Sequence, residues 1–272
     1  MTDQVTPTAV GAVYDEITTP LTPILGGSVH VGYWDGPLDT ATVEQAADRL
    51  TGLVAGRLSA GRGGSVLDIG CGSGKPAAQI AASLGVHVTG ITVSRNQWEI
   101  ARSHPQPVAG GGTEFHLADA MRLPFDDGTF DAAYAIESLL HMSDPTAALA
   151  GAARVLRPGS CLVIADLYLD DPVDDHTADI IRTASELFQI SHIATADQWR
   201  QQIHRAGLDL VDFTDVRAHV HRSYGLIAEF IRTAGQPPGV QASEQLVALA
   251  EATEAFGALP RLGYALMTAI LH

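Results

Sequence analysis

The chain has 272 residues, enough for one elaborated domain. Its 46% hydrophobic and 17% charged residues describe a folded globular protein in which no run reaches the roughly 18 apolar residues of a membrane helix. Its formal charge of −15, from 16 basic against 31 acidic side chains, comes without a basic cluster to neutralise successive phosphates, which excludes nucleic acid as a partner.

In chain order, residues 1–60 precede the first strand. The opening Met1-Thr2-Asp3-Gln4-Val5 has no basic start followed by an apolar stretch, so the expected location is the cytoplasm. Apolar residues over 43–58 recur at helical spacing, which predicts an amphipathic helix packed over the fold. Val66-Leu67-Asp68-Ile69 then reads as a short apolar strand. From Gly70 the pattern alternates: helix over 76–84, strand over 86–91, helix over 97–102, strand over 113–117, strand over 130–135, helix over 145–155, a turn at Arg157-Pro158-Gly159 and a strand over 161–165. Each strand is nearly continuously apolar, as a parallel sheet covered on both faces requires, and five parallel strands are expected. Residues 208–216 and 264–270 read as a closing pair. Helical periodicity in 171–205 and 222–258 predicts a cap, with Ile180, Ile181, Leu187, Phe188 and Ile190 facing inward, and Gln236-Pro237-Pro238-Gly239 breaks it as a loop. The fold class is α/β in a single domain over 1–272, with N-terminal lid and helices in 1–60, a core in 61–170 and the cap beyond.

The segment Asp68-Ile69-Gly70-Cys71-Gly72-Ser73-Gly74-Lys75-Pro76 ends a strand in three alternating glycines and opens a helix, the arrangement of a nucleotide-cofactor loop. A Walker A loop fails because Ile69 holds its first glycine position and Pro76 replaces its magnesium-binding hydroxyl. A dinucleotide fingerprint fails because Lys75 stands where its third glycine belongs. The two cysteines, Cys71 and Cys161, have no Cys-x-x-Cys spacing for zinc and read as reduced packing residues, so no metal is expected.

What remains, x-L-D-I-G-C-G-x-G, resembles motif I of the class I S-adenosylmethionine (SAM) methyltransferases. Leu123-Pro124-Phe125-Asp126-Asp127-Gly128-Thr129-Phe130-Asp131 resembles the family's L-P-F-x-D-x-x-F-D signature. His30-Val31-Gly32-Tyr33-Trp34 resembles the H-x-G-Y-W segment of small-molecule and lipid methyltransferases. The resemblance implies a seven-stranded Rossmann-like sheet with an antiparallel closing pair, and SAM as cofactor. Gly70, Cys71 and Gly72 would lie against its amino-acid end, Asp119 at the adenine amino group and the Ala120 backbone N–H at a ring nitrogen. Thr92 stands where the family has a ribose-binding acid, a departure shared by a natural-product branch, and Ser94 and Gln97 are the substitutes. Tyr14, in a segment resembling the N-terminal lid, and Tyr33 are candidate cofactor or lid contacts. Glu137 is either a cofactor-edge contact or a structural hydrogen-bonding group, Trp34 reads as packing and Asp126 and Asp127 as a solvated turn.

His141 follows the fourth strand where the family often places a general base, and an imidazole near pH 6.5 can take a proton from an alcohol or phenol. Asp166 ends the fifth strand and is expected to orient His141 or hold substrate. His192, His204, His219 and His221 have no metal-ligand pattern. The closest resemblance is to bacterial natural-product methyltransferases acting on sugars, macrolides and ansamycins. It implies O-methylation of a bulky small-molecule acceptor, with C- or N-methylation or a SAM-retaining cyclase as alternatives.

Overall fold

The computed structural model describes residues 5–22, 26–104, 111–170, 173–233 and 244–272. The Gln236-Pro237-Pro238-Gly239 break and most of the N-terminal five residues lie outside them. No described helix is long and apolar enough to cross a membrane.

Five strands form the parallel part of one sheet: β1 (Ser65–Ile69), β2 (His87–Thr92), β3 (Gly112–Leu117), β4 (Phe130–Ile136) and β5 (Leu156–Leu169). β6 (Leu208–Asp215) and β7 (Leu262–Leu271) complete seven strands in the order β3-β2-β1-β4-β5-β7-β6. β7 inserts between β5 and β6 and runs antiparallel to both, so the last strand of the chain lies inside the sheet and β6 forms the edge. The expected turn at Arg157-Pro158-Gly159 is instead absorbed into β5. Phe130 pairs with Leu156 and Ala132 with Cys161, and the intervening residues bulge out with Gly159 at φ +81°.

Successive strand residues face opposite layers, and the core divides accordingly. Val66, Val88, Tyr134 and Val163 meet α2 (Val43–Ala55) and α3 (Lys75–Leu84) on one face. Leu67, Ile91, Ala133 and Leu162 meet α5 (Pro145–Val155) and α7 (Ala196–Arg205) on the other. α2 starts in a reciprocal cap between Thr42 and Gln45 and buries Leu50 and Val54, as its periodicity predicts. α7 belongs to the sheet rather than to the cap: Trp199 and Ile203 are buried in the second core layer, and the Trp199 indole donates to the Leu167 carbonyl at 3.1 Å. The cap over the carboxyl ends consists of α6 (Asp175–Phe188), α9 (Arg222–Thr233) and α10 (Glu244–Gly257), entered through the short α8 (Arg217–Val220). Ile190 is buried, and Ile180, Ile181 and Phe188 pack against the core. Leu187 is 41% exposed, on the outer side of α6.

Candidate active site

The carboxyl ends of β1, β2 and β4 open into a cavity closed on one side by α1 (Pro7–Leu21), with about 940 Å³ of empty space, its open mouth included. Gly70 and Gly72 both have positive φ, +84° and +53°, but for different purposes. A Cβ on Gly70 would stand 2.4 Å from Ser138 Cβ, so that glycine lets the loop pass the end of β4. At Gly72 the nearest neighbour would be Val29 Cγ2 at 3.1 Å, across the cavity mouth. Cys71 is buried yet lines the same cavity between the two glycines, and burial pushes its thiol well above the ordinary range. Lys75 is bound to the Gly26 carbonyl, Glu44 and Asp48, an arrangement that leaves it no phosphate-binding role.

At the end of β2, Thr92 Oγ1 donates to Gln97 Oε1 at 2.7 Å and accepts from Ser94 N–H at 3.1 Å. Ser94 caps α4 (Arg95–Ser103), accepting from Gln97 N–H, and its own hydroxyl donates to Asp15 on α1 at 2.6 Å. Asp15 also accepts from Asn96 N–H at 2.9 Å, so this carboxylate latches the N-terminal helix to the cavity rim. Sequence reasoning missed Asp15 as a functional residue, although it stands beside Tyr14. Thr92 and Ser94 therefore spend their hydroxyls within the protein, whereas the Gln97 amide nitrogen faces the cavity with no bond to a described residue. Asp119 caps the turn Ala120–Arg122 through one oxygen, at 2.9 Å from Met121 N–H, and lines the cavity beside Ala120.

A second cavity, about 790 Å³ of empty space with its open mouth included, lies under the cap and shares Tyr14, Val29, His30, Glu137 and His141 with the first. These residues form the junction. Glu137 adopts φ +47°, a conformation costing on the order of 1–3 kcal/mol outside glycine. It is held there by Val31 N–H and the Tyr264 hydroxyl, both at 2.9 Å to Oε1. Burial pushes its carboxyl up to about 7. Thus Glu137 combines a structural bond through Oε1 with an Oε2 left free at the junction.

The His141 ring is fixed from both sides. Its Nδ1 lies 3.0 Å from the Gln189 carbonyl, which can only accept, so Nδ1 carries the proton and Nε2 accepts from the Tyr14 hydroxyl at 2.7 Å. Gln189 reaches it by ending α6 in a left-handed conformation, φ +54°. Burial lowers the imidazole to about 4 and raises the Tyr14 phenol, so both groups are neutral at physiological pH. His30, also missed by sequence reasoning as a site residue, is another buried neutral imidazole. Its Nδ1 donates to the Val31 carbonyl at 2.8 Å and its Nε2 meets the Thr51 hydroxyl at 3.2 Å.

Two expected site residues lie elsewhere. Tyr33 lines neither cavity: its ring stacks on His219 at 4.4 Å, the same surface on which Trp34 N–H and carbonyl pair with His219. Asp166 is fully buried, lines neither cavity and makes no hydrogen bond to His141. It accepts from Leu167 N–H at 2.8 Å and Leu140 N–H at 3.3 Å, and burial pushes its carboxyl to about 8. Through Leu140 N–H it anchors the Leu139–His141 turn. Trp34 is buried as expected, and Asp127 pairs with Arg154 in an exposed turn. His221 bonds the Leu262 carbonyl at 3.4 Å, while His192 and His204 are exposed. No group of metal-binding side chains occurs among the described residues.

The methyltransferase-domain family matches residues 67–164. The chain is 44% identical to O-methyltransferase cnsE of Penicillium expansum over 97% of its own length and 92% of that protein. It is 35% identical to 27-O-demethylrifamycin SV methyltransferase of Amycolatopsis mediterranei over 97% of each. The crystal structure of the [4+2]-cyclase SpnF superposes with a TM-score of 0.78 at 32% identity, covering 98% of this chain and 96% of that one. The chain belongs to the class I SAM-dependent methyltransferases acting on small molecules. Because fungal as well as bacterial proteins are among these relatives, the expected bacterial branch widens to a group found in both.

Proposed function

We propose that this enzyme O-methylates a bulky secondary metabolite of the polyketide, macrolide, ansamycin or glycoside kind, with SAM in the first cavity, the acceptor in the second and His141 as general base. The observation that carries this reading is the junction itself: two adjoining cavities meet at a neutral imidazole whose Nε2 is the accepting nitrogen. The first cavity suits SAM because the glycine loop leaves a wall without side chains at Gly72. Beside it stand the acceptor oxygens of Asp119 and the unspent amide donors of Gln97. SAM, when bound, supplies an electrophilic methyl group on a sulfonium.

The chain's own residues supply position and proton transfer. The Gln189 carbonyl keeps the His141 proton on Nδ1, so Nε2 is free to receive the proton of an acceptor hydroxyl once Tyr14 yields its place there. The cap and α1 exclude water from the junction. Calorimetry with SAM, NAD and ATP tests the cofactor: SAM is expected to bind and the other two are not, and binding of NAD without response to SAM would end the methyltransferase mechanism. Phe188 lines only the second cavity, so Phe188→Ala is expected to weaken acceptor binding several-fold while SAM affinity holds. Equal loss of both affinities would place Phe188 in the common core instead.

The likeness to the SpnF cyclase at 32% identity favours one alternative, cyclisation with SAM retained in the same cavity. C- or N-methylation is the nearer variant. S-adenosylhomocysteine formed in proportion to acceptor consumed supports methyl transfer, and product formation without it supports the cyclase.

A further inference from the structure

One polar group of the second cavity has no task in proton transfer. Tyr224, on α9, lines this cavity and not the first, and is only 9% exposed. Its ring meets the edge of Phe256 at 5.8 Å and is packed against the backbone of Gly257, where a Cβ would lie 2.2 Å from Tyr224 Cβ. The ring is therefore held before any ligand arrives. Its hydroxyl makes no hydrogen bond to a described residue, and it is not sealed from the cavity. The other hydroxyls there are committed: Tyr14 donates to His141, and Thr253 donates to the Leu249 carbonyl at 2.8 Å. A buried donor without a partner is unfavourable unless a ligand or water satisfies it.

The charge of the cavity narrows the ligand further. No lysine, arginine or aspartate lines it among the described residues. His30 and His141 are held neutral by burial, and Glu137 is pushed toward neutrality by the same cause. Leu140, Leu167, Phe188, Ile190, Ile227 and Phe256 supply most of the remaining wall, which is apolar. An anionic acceptor would lose its hydration here and meet no cation in return.

We infer that the second cavity takes an uncharged, largely apolar acceptor with an oxygen besides the one that is methylated, and that the Tyr224 hydroxyl donates a hydrogen bond to that second oxygen. The inference rests on the assignment of this cavity to the acceptor, and it makes Tyr224 a specificity-determining residue without a part in the chemical step.

Binding of three probes to the full-length protein, with S-adenosylhomocysteine present, tests it by probe fluorescence: a naphthol, the matching dihydroxynaphthalene and the matching hydroxynaphthoate. The dihydroxynaphthalene is expected to bind about 3- to 10-fold more tightly than the naphthol, and the hydroxynaphthoate at least about 10-fold more weakly. Tyr224→Phe should remove the advantage of the second hydroxyl while leaving naphthol binding, S-adenosylhomocysteine binding and melting temperature unchanged. Gly257→Ala, which displaces the ring, should reduce the same advantage. The inference is overturned if Tyr224→Phe preserves the preference, if the hydroxynaphthoate binds as well as the naphthol, or if none of the probes binds. Failure of S-adenosylhomocysteine itself to bind would instead strike the cofactor assignment, so the two failures are distinguishable.

Discussion

His141→Ala is expected to lower methyl transfer by roughly 10²–10⁴-fold while SAM affinity changes little, because a general base acts only as the acceptor surrenders its proton. The pH dependence separates this role from that of its neighbour. Burial holds the folded imidazole at about 4, below its ordinary value of 6.5, so the proton-accepting form is fully present at neutral pH and is lost only as the pH falls toward 4. Single-turnover rates between about pH 6 and 9 should consequently show no limb from His141. Burial raises the carboxyls of both Glu137 and Asp68 to about 7, so a limb near pH 7 that Glu137→Gln removes belongs to Glu137, and one that survives it points to Asp68. A rate near wild type for His141→Ala throughout the range would take His141 out of catalysis and leave positioning alone. An acceptor already ionised, or a cyclisation, predicts that weaker dependence because no proton leaves late in the reaction.

Gly72→Val should abolish SAM binding while the chain stays folded. The cause is local: φ is +53° at this position, and a left-handed conformation costs an ordinary residue roughly 1–2 kcal/mol and a β-branched one more. The new side chain would also meet Val29 Cγ2, which a Cβ alone approaches to 3.1 Å, and would fill the wall of the first cavity. Calorimetric titration with SAM, beside circular dichroism for the fold, measures both consequences. Gly70→Val makes an instructive contrast, since its Cβ would collide with Ser138 at 2.4 Å and the expected loss is of the fold as well as of the cofactor. SAM bound by Gly72→Val with wild-type affinity would show that the cofactor does not lie along this loop.

Much of the first cavity, proposed to hold SAM, was legible in the chain itself. Strand and helix alternate from Val66 to Val155 much as local periodicity predicts, and the glycine spacing separates the loop from both phosphate fingerprints. Gly72, Gln97, Asp119 and Ala120 meet at one cavity because each stands at or just beyond the carboxyl end of a parallel strand, or on the helix that follows it. Such positions follow from short contiguous segments and from the right-handed crossover that joins them.

The second cavity, proposed to hold the acceptor, and its junction with the first depend on contacts between segments far apart in sequence. Tyr33 carries the same motif context whether it faces a cofactor or, as here, stacks on His219, and nothing within residues 26–34 decides between them. Asp166 reads as the end of the fifth strand, but β5 runs on to Leu169, and the turn containing Leu140 closes over Asp166 and makes it a buried backbone anchor. The tautomer of His141 is set by a carbonyl at Gln189, and its accepting nitrogen is met by a hydroxyl at Tyr14. The parallel strands and the glycine loop are written in local periodicity and spacing, while the chemistry is what the resemblance to the SAM methyltransferases implies. Which polar groups are spent on the fold and which remain for a ligand emerges with the packed layers, because burial and hydrogen-bond pairing are properties of the assembly.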